Sequence, residues 1–337
     1  MIIRKRTAVS DAALNKTGSA CVATPLGGTS DDTPQIMDAF KQCGKGGSVA
    51  ISEGTYNIGQ VMNKLDFQNC DNHINGKLVW SADYWLSHSI SVIYVGRSTA
   101  RRIGGKNVAI RGHGKALLDG NGQKWSDENK NAGNQNGRPI YLNLRQATNF
   151  LVDEYHKTYT KNRHTFVAHS QNVAMANLDM NTASSSQYKT VNTDGTDTWN
   201  SKDIDCISVK GNSTNVYVSN ITCYSSGGMC IGSMGQDASK PDYIDNSSNV
   251  AWIKTYPGNG HVKNVMFRNI EFTNVNQPIY ITTFLNFREY HRVEIYWHVS
   301  NELPSATGIA QYISFMGVWG GPTSDRSPGT HLLTSGL

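Results

Sequence analysis

Asn107-Val108-Ala109-Ile110, Asn149-Phe150-Leu151-Val152, Asn172-Val173-Ala174-Met175, Asn215-Val216-Tyr217-Val218 and Asn264-Val265-Met266-Phe267 share one pattern, an asparagine leading a short apolar segment. The copies start 42, 23, 43 and 49 residues apart, one or two turns of a unit of roughly 20 to 25 residues. Alternation inside each copy gives one buried and one exposed face, which is strand chemistry. Stacking such units side by side predicts an all-β chain folded as a right-handed parallel β-helix, each coil burying its inward residues against the coils above and below. An antiparallel sandwich would show turn signals every ~8 to 12 residues. The longer spacing favours the solenoid.

Composition agrees. The chain has 337 residues, 32 of them glycine, with 38% hydrophobic and 17% charged residues, a balance suited to strands and turns. A formal charge of +5 without a long basic run excludes a nucleic-acid groove, and no stretch is long and apolar enough to span a membrane. Near the start, Asp31-Asp32-Thr33-Pro34 leads Gln35 to Gly44. This reads as a helix with Thr33 or Asp32 as N-cap, Pro34 at the first helical position, an Ile36/Ala39/Phe40 stripe and a glycine stop, a cover for the end of the solenoid.

Six cysteines without a Cys-x-x-Cys pair argue against a metal site and for disulfides. Sequons at Asn15, Asn212, Asn220 and Asn246 fit a secreted glycoprotein. Met1 to Lys16, however, has a basic start without an apolar core, so no signal peptide is visible. The expected organisation is a disordered extension over 1–19, a β-helix domain over 20–287 and an atypical tail over 288–337, since the tail has no asparagine-led repeat and a loop-like Gly320 to Gly329.

Chemistry concentrates in Asn192-Thr193-Asp194-Gly195, Asp203 and Asp205-Cys206. Carboxylates clustered on a rigid strand surface suit cleavage of a glycosidic bond, where one group protonates the leaving oxygen and another activates water. The plainer alternative makes these asparagines and aspartates turn residues. Trp80, Trp85 and Trp125 offer either a sugar platform or packing between coils. His113, His164, His169 and His261 have no metal-ligand spacing and read as structural or solvated.

Taken in order, Cys21 to Gly28 with Asp31-Asp32-Thr33, Gly54 to Gly59, Gly112-His113-Gly114, Leu118 to Trp125, Gly137-Arg138-Pro139, Asn192 to Gly195, Asp205 to Lys210 and Gly232 to Gln236 resemble glycoside hydrolase family 28, the pectin hydrolases. The nearest branch is that of the fungal exo-polygalacturonases and exo-rhamnogalacturonases, and the resemblance covers about residues 20–285. It implies a secreted, extracellular monomeric enzyme acting on pectic polysaccharide without metal or organic cofactor, by single displacement with inversion. It places Asp194 and Asp205 at the positions that handle water. Asn192, Gly227, Trp252 and Lys254 fall at substrate-binding positions. Cys206 with Cys223 resembles the family's disulfide beside the active site, and Cys21 with Cys43 could tie the cap.

The chain departs from the family in instructive places. The general-acid position falls on Ile204, leaving Asp203 as the nearest carboxylate. Gly195 and Asp205 are only ten residues apart where a full coil is expected, and a second shortening lies at Asp242 to Asn246. Misassigned introns or a degraded gene copy would account for both. A histidine is replaced by Gly227, and an Arg-Ile-Lys by Trp252-Ile253-Lys254, which trades a carboxylate-binding guanidinium for an apolar face suited to a neutral or deoxy sugar. Two alternatives stand beside the hydrolase: a pectin-binding β-helix that has lost catalysis, and a calcium-dependent polysaccharide lyase.

Overall fold

The computed structural model describes residues 18–82, 90–92, 97–131, 139–158, 164–190, 195–199, 202–204, 208–209, 212–216, 230–234, 242–245, 252–255, 260–275, 280–283, 287–299, 306–319 and 329–331. The expected extension over 1–19 falls almost wholly outside them. The chain divides into two compact units, one reaching Asp197 and also taking Asn220–Thr222, the other holding the remainder from Thr198.

In the first unit the chain runs through β1 (Ala20–Ala23), α1 (Thr33–Cys43), β2 (Ser48–Ile51), β3 (Thr55–Ile58), β4 (Met62–Ile74), β5 (Lys77–Trp80), β6 (Ile90–Val92), β7 (Arg97–Asp119), α2 (Gln123–Asn129), β8 (Pro139–Thr158), β9 (Thr165–Ala168), β10 (Gln171–Ala176), β11 (Asp179–Asn181) and into β12 (Thr196–Trp199). Among the described pairings of this unit only that of β6 with the start of β7 is antiparallel. The other described pairings in this unit are parallel and form three rows. One holds β1, β2 and the asparagine-led segments of β4, β7, β8 and β10. A second holds β3, β5, the ends of β7 and β8, and β11. The third holds the starts of β4, β7 and β8, then β9. The unit winds as a right-handed parallel β-helix, as its sequence repeat predicts.

Register turns the repeat into a core. Cys70, Val108, Phe150 and Val173 stack in one column, and Asn72, Ile110, Val152 and Met175 in the next. All eight are buried, and each large apolar member contributes about 1.5–3 kcal/mol on leaving water. The polar intruder, Asn72, is satisfied by its Nδ2 donating to the Ala109 carbonyl at 3.4 Å.

The asparagines themselves form a ladder. Asn172 Nδ2 donates to Asn149 Oδ1, Asn149 to Asn107 and Asn107 to Asn69, each at 2.8 Å. All four sit at φ between 47° and 56°, the left-handed region that asparagine tolerates better than most residues. The conformation turns each coil's corner, and the stacked amides tie one corner to the next.

The N-terminal helix starts at Thr33, with Pro34 in its first turn and Thr33, Ile36, Ala39, Phe40 and Cys43 buried. Asp32, one of the two expected residues, stands at the N-cap position, but its side chain does not make the capping bond. Asp31 Oδ1 instead accepts from the Thr33 N–H at 2.9 Å and from the Thr33 hydroxyl at 2.6 Å. Asp32 is thereby freed to accept from the N–H groups of Leu26 and Asn57, both at 2.8 Å. Two adjacent carboxylates thus divide capping from anchoring the helix to the first coils. Gly44 ends the helix, its N–H donating to the Phe40 carbonyl at 3.0 Å.

Cys21 and Cys43 form a disulfide across 22 residues, with Cα atoms 5.9 Å apart, tying β1 to the end of α1. Closing a loop of that size restricts the unfolded chain by about 3 kcal/mol. Replacing both cysteines by serine is therefore expected to lower unfolding free energy by that order in denaturant titration, with the parallel-strand circular dichroism of the folded state unchanged.

In the second unit the chain runs through β13 (Lys202–Ile204), β14 (Ser208–Val209), β15 (Ser213–Val216), β16 (Cys230–Met234), β17 (Asp242–Asp245), β18 (Trp252–Thr255), β19 (Gly260–Val275), β20 (Tyr280–Thr283), β21 (Phe287–Val299), β22 (Ala306–Trp319) and β23 (Gly329–His331). Two parallel ladders run through it, β13–β15–β17–β19 and β14–β16–β18–β20. Toward the C-terminus the direction changes: β22 pairs antiparallel with both β19 and β21, and β23 antiparallel with β20. Register offsets are uneven in this unit. Lys202 pairs with Thr214, an offset of 12 residues, whereas Ser208 pairs with Cys230, an offset of 22. Twelve residues are about half of one coil.

Candidate active site

The third row of the first unit reaches Gly195. Leu142 pairs with Thr165, and the Thr165 N–H donates to the Gly195 carbonyl at 3.0 Å. Gly195 directly precedes β12, which pairs with β9, and the residue before it in sequence is Asp194. Asn192 and Asp194 themselves lie outside the described residues, as do Asp205, Cys206, Cys223 and Gly227. The sequons at Asn15, Asn220 and Asn246 do so too. Asn212 is exposed at φ 59°.

In the second unit, Ser208, Cys230, Trp252 and Tyr280 follow one another in register along one ladder. Asp205 stands three residues ahead of Ser208 in sequence and Gly227 three ahead of Cys230. Trp252 and Lys254 are themselves in β18, paired with Tyr280 and Thr282 of the next strand. Asp203 belongs to the other ladder, in β13 between the pairs Lys202–Thr214 and Ile204–Val216.

Several side chains singled out in the sequence are settled. Trp80 and Trp125 are 0% and 2% exposed, so both are buried, Trp80 in β5 and Trp125 in α2, and present no sugar platform. Trp80 meets the Tyr141 ring edge-on at 4.6 Å. Trp85 lies outside the described residues. His113 stacks on His73, with Nε2 2.9 Å from His73 Nδ1, while the other side of His73 faces Asp71 at 3.5 Å. Asp71 also pairs with Arg111 Nε at 3.2 Å. His164 is buried. Among the described residues no group of three or more metal-ligating side chains converges, and no helix is long and apolar enough to cross a membrane.

Other polar residues of this unit, His169 apart, were not singled out in the sequence. Asp197, two residues beyond Gly195, is fully buried. Arg102, on β7, pairs in register with Asn143 on β8, and Arg145 follows Asn143 by two positions. Arg102 and Arg145 are partly exposed. Burial, and then the charge of neighbouring Arg145, lowers the Arg102 pKa. His169, beyond β9, is likewise shifted down by burial and then by Arg145. Tyr141 and Tyr155 are buried and pushed upward mainly for that reason, which keeps both phenols neutral. No local motif marks these residues, because Arg102 and Asn143 are 41 positions apart in the chain.

Surface ion pairs contribute less. Lys45 and Lys64 lie 2.8 and 2.7 Å from the Asp66 carboxylate, and hold its pKa at about 2. A depressed folded pKa stabilises above the ordinary carboxylate range, and that contribution disappears as pH falls toward 2. Asp66 is 57% exposed, so solvent screens the pairs. Asp66→Asn is expected to cost about 0.5 kcal/mol near neutral pH and nothing near pH 2, read from melting curves across that range.

Comparison with known proteins gives a consistent outcome. The sequence profile described as glycosyl hydrolases family 28 matches residues 94–291. An exopolygalacturonase of Cochliobolus carbonum is 33% identical over 307 residues, 80% of this chain and 67% of its own length. Alpha-L-rhamnosidase rgxB of Aspergillus niger is 32% identical over 264 residues, 73% of this chain and 62% of its own length. Among solved structures, the endo-xylogalacturonan hydrolase of Aspergillus tubingensis superposes with a TM-score of 0.60 at 28% identity, covering 73% of this chain and 72% of that one. The chain thus spans about two thirds of the length of these curated relatives.

Proposed function

Since the chain belongs to glycosyl hydrolases family 28, and is a glycoside hydrolase by family, we propose that it hydrolyses pectic polysaccharide from chain ends, releasing a terminal sugar of rhamnogalacturonan or galacturonan by single displacement with inversion. The observation that carries this reading is the family match across residues 94–291, which takes in every motif residue from Asn192 to Lys254. The hydrogen bond from the Thr165 N–H to the Gly195 carbonyl supports it, because it ties the residue that follows Asp194 in sequence to the strand row holding β9.

Inversion requires a base and an acid roughly 6.5 to 9.5 Å apart, leaving room for water beneath the anomeric carbon. Asp194 and Asp205 are assigned to the water. Asn192 and Gly227 are assigned to binding, Lys254 to an acidic sugar's carboxylate, and Trp252 to the apolar face of a deoxy sugar. Asp203 is the carboxylate nearest the acid position. The disulfide between Cys21 and Cys43 supports an oxidising, extracellular setting. We assign the working form as a monomer.

A second reading, a pectin-binding protein with impaired catalysis, is favoured by one specific observation. The acid position is Ile204, and Asp203 pairs in the ladder that does not contain Trp252 and Lys254. Incubation with homogalacturonan and rhamnogalacturonan separates the readings. Reducing ends without ultraviolet absorbance, the first-formed sugar having inverted anomeric configuration by NMR, are expected. Unsaturated product would establish a lyase instead, and binding without product would establish the second reading.

A further inference from the structure

On β8, Asn143 and Arg145 alternate with Leu142 and Leu144, which are 2% and 0% exposed and face the core. Asn143 and Arg145 therefore occupy the opposite face of that strand. Arg102 lies directly across from Asn143 in register, between Arg101 and Ile103, which are both buried. The three residues make one patch on the row that Gly195 joins through Thr165.

The patch is polar and incompletely satisfied. Arg102 Nε, Arg145 Nε and Asn143 Oδ1 are enclosed by protein, yet none has a hydrogen-bond partner among the described residues. Asn143 is only 1% exposed, so its carbonyl is a buried acceptor without its bond, a costly arrangement unless a ligand or water completes it. The two guanidinium groups bring like charges close enough for one to act on the other, and none of the described ion pairs joins either to a carboxylate. Both arginines keep partial exposure, so a ligand can reach them. Two forked donors on one face, with the Asn143 amide enclosed between them, are suited to a planar carboxylate.

We propose that Arg102, Asn143 and Arg145 form a binding subsite for the carboxylate of an acidic sugar unit, a uronate of the polymer. This rests on the pectic reading above and adds to it a place where uronate, as distinct from neutral sugar, is recognised. Because the patch stands on a row of the solenoid, the polymer would be held along the coils.

Affinity electrophoresis of the full chain in native gels tests this, with polygalacturonate in one set and its carboxyl-reduced, neutral counterpart in another, mobilities being normalised to gels without polymer. Arg102→Gln with Arg145→Gln is expected to weaken polygalacturonate binding roughly ten- to hundredfold, since each charged hydrogen bond accounts for about a factor of ten. Binding to the neutral polymer should not change. Lysine at both positions should recover only part of the loss, because the forked geometry is gone. Lys115→Gln, which removes a charge from an exposed pair with Glu53, serves as the control for generic charge. Equal losses on both polymers, or a loss no greater than that of Lys115→Gln, would overturn the subsite while leaving the pectic reading intact. Parent protein that binds neither polymer would overturn the pectic reading and the subsite together.

Discussion

Asp205→Asn and Asp194→Asn are each expected to lower turnover of a pectic oligosaccharide by about 10²- to 10⁴-fold, the range that removal of a positioned proton-transfer group produces. Binding should persist, because asparagine keeps the size and most of the hydrogen bonding of the carboxylate it replaces. The loss should therefore fall on kcat, with KM nearly unchanged. Activity retained in both variants would remove them from the chemistry. Asp203→Asn is the informative companion. A loss comparable to that of Asp205→Asn would place Asp203 as the proton donor, whereas no effect, combined with a gain on Ile204→Asp, would show that this chain lacks its acid. The gain is the outcome expected under the second reading, since a carboxyl at that position restores the pair that inversion requires.

The second large effect is structural. Asn149 donates to Asn107 and accepts from Asn172, both at 2.8 Å, and stands at φ 52°. Asn149→Ala is expected to destabilise the protein by about 3 to 4 kcal/mol: two side-chain hydrogen bonds at about 1 kcal/mol each, plus about 1–2 kcal/mol for an alanine in the left-handed region. Asn149→Gly keeps the backbone conformation available and loses only the bonds, so it should cost about 2 kcal/mol. The alanine variant being no worse than the glycine variant in denaturant titration would show that the corner conformation carries no strain. Asn172→Ala, with a bond to Asn149 as donor, provides a check one coil further along.

The ladder also marks the limit of what local pattern discloses. Asn107, Asn149 and Asn172 announce themselves because apolar residues follow each of them. Asn69 occupies the same place in the ladder, yet it is followed by Cys70, Asp71 and Asn72, and no hydrophobic count flags it. Asn72 is buried in the core column regardless, because its amide meets the Ala109 carbonyl. The helix is similar. Its span, proline and buried stripe are visible locally, whereas its cap is not, since the choice between Asp31 and Asp32 depends on Leu26, Asn57 and Gly59 from other segments.

The candidate site divides along the same line. Asp194, Asp205, Trp252 and Lys254 stand in recognisable motifs, so a reader of the chain alone finds them. Arg102, Asn143 and Arg145 stand in no motif. Their relation depends on coil offsets of 38, 42 and 23 residues between successive ladder asparagines, unequal because the β6 hairpin and α2 interrupt some coils and not others. An insertion changes the offset without changing the period-2 alternation, so local pattern cannot supply the register. What the amino-acid sequence alone determined is the repeating strand, its inward residues, the capping helix and the family. Tertiary structure alone decided which residues of different coils lie side by side, that Trp80 and Trp125 are core, and that two arginines share a face with a buried amide. The physical reason is that burial of alternating side chains is encoded within each strand, whereas cross-coil pairing is set by stacking hydrogen bonds between segments that the chain separates by a full turn.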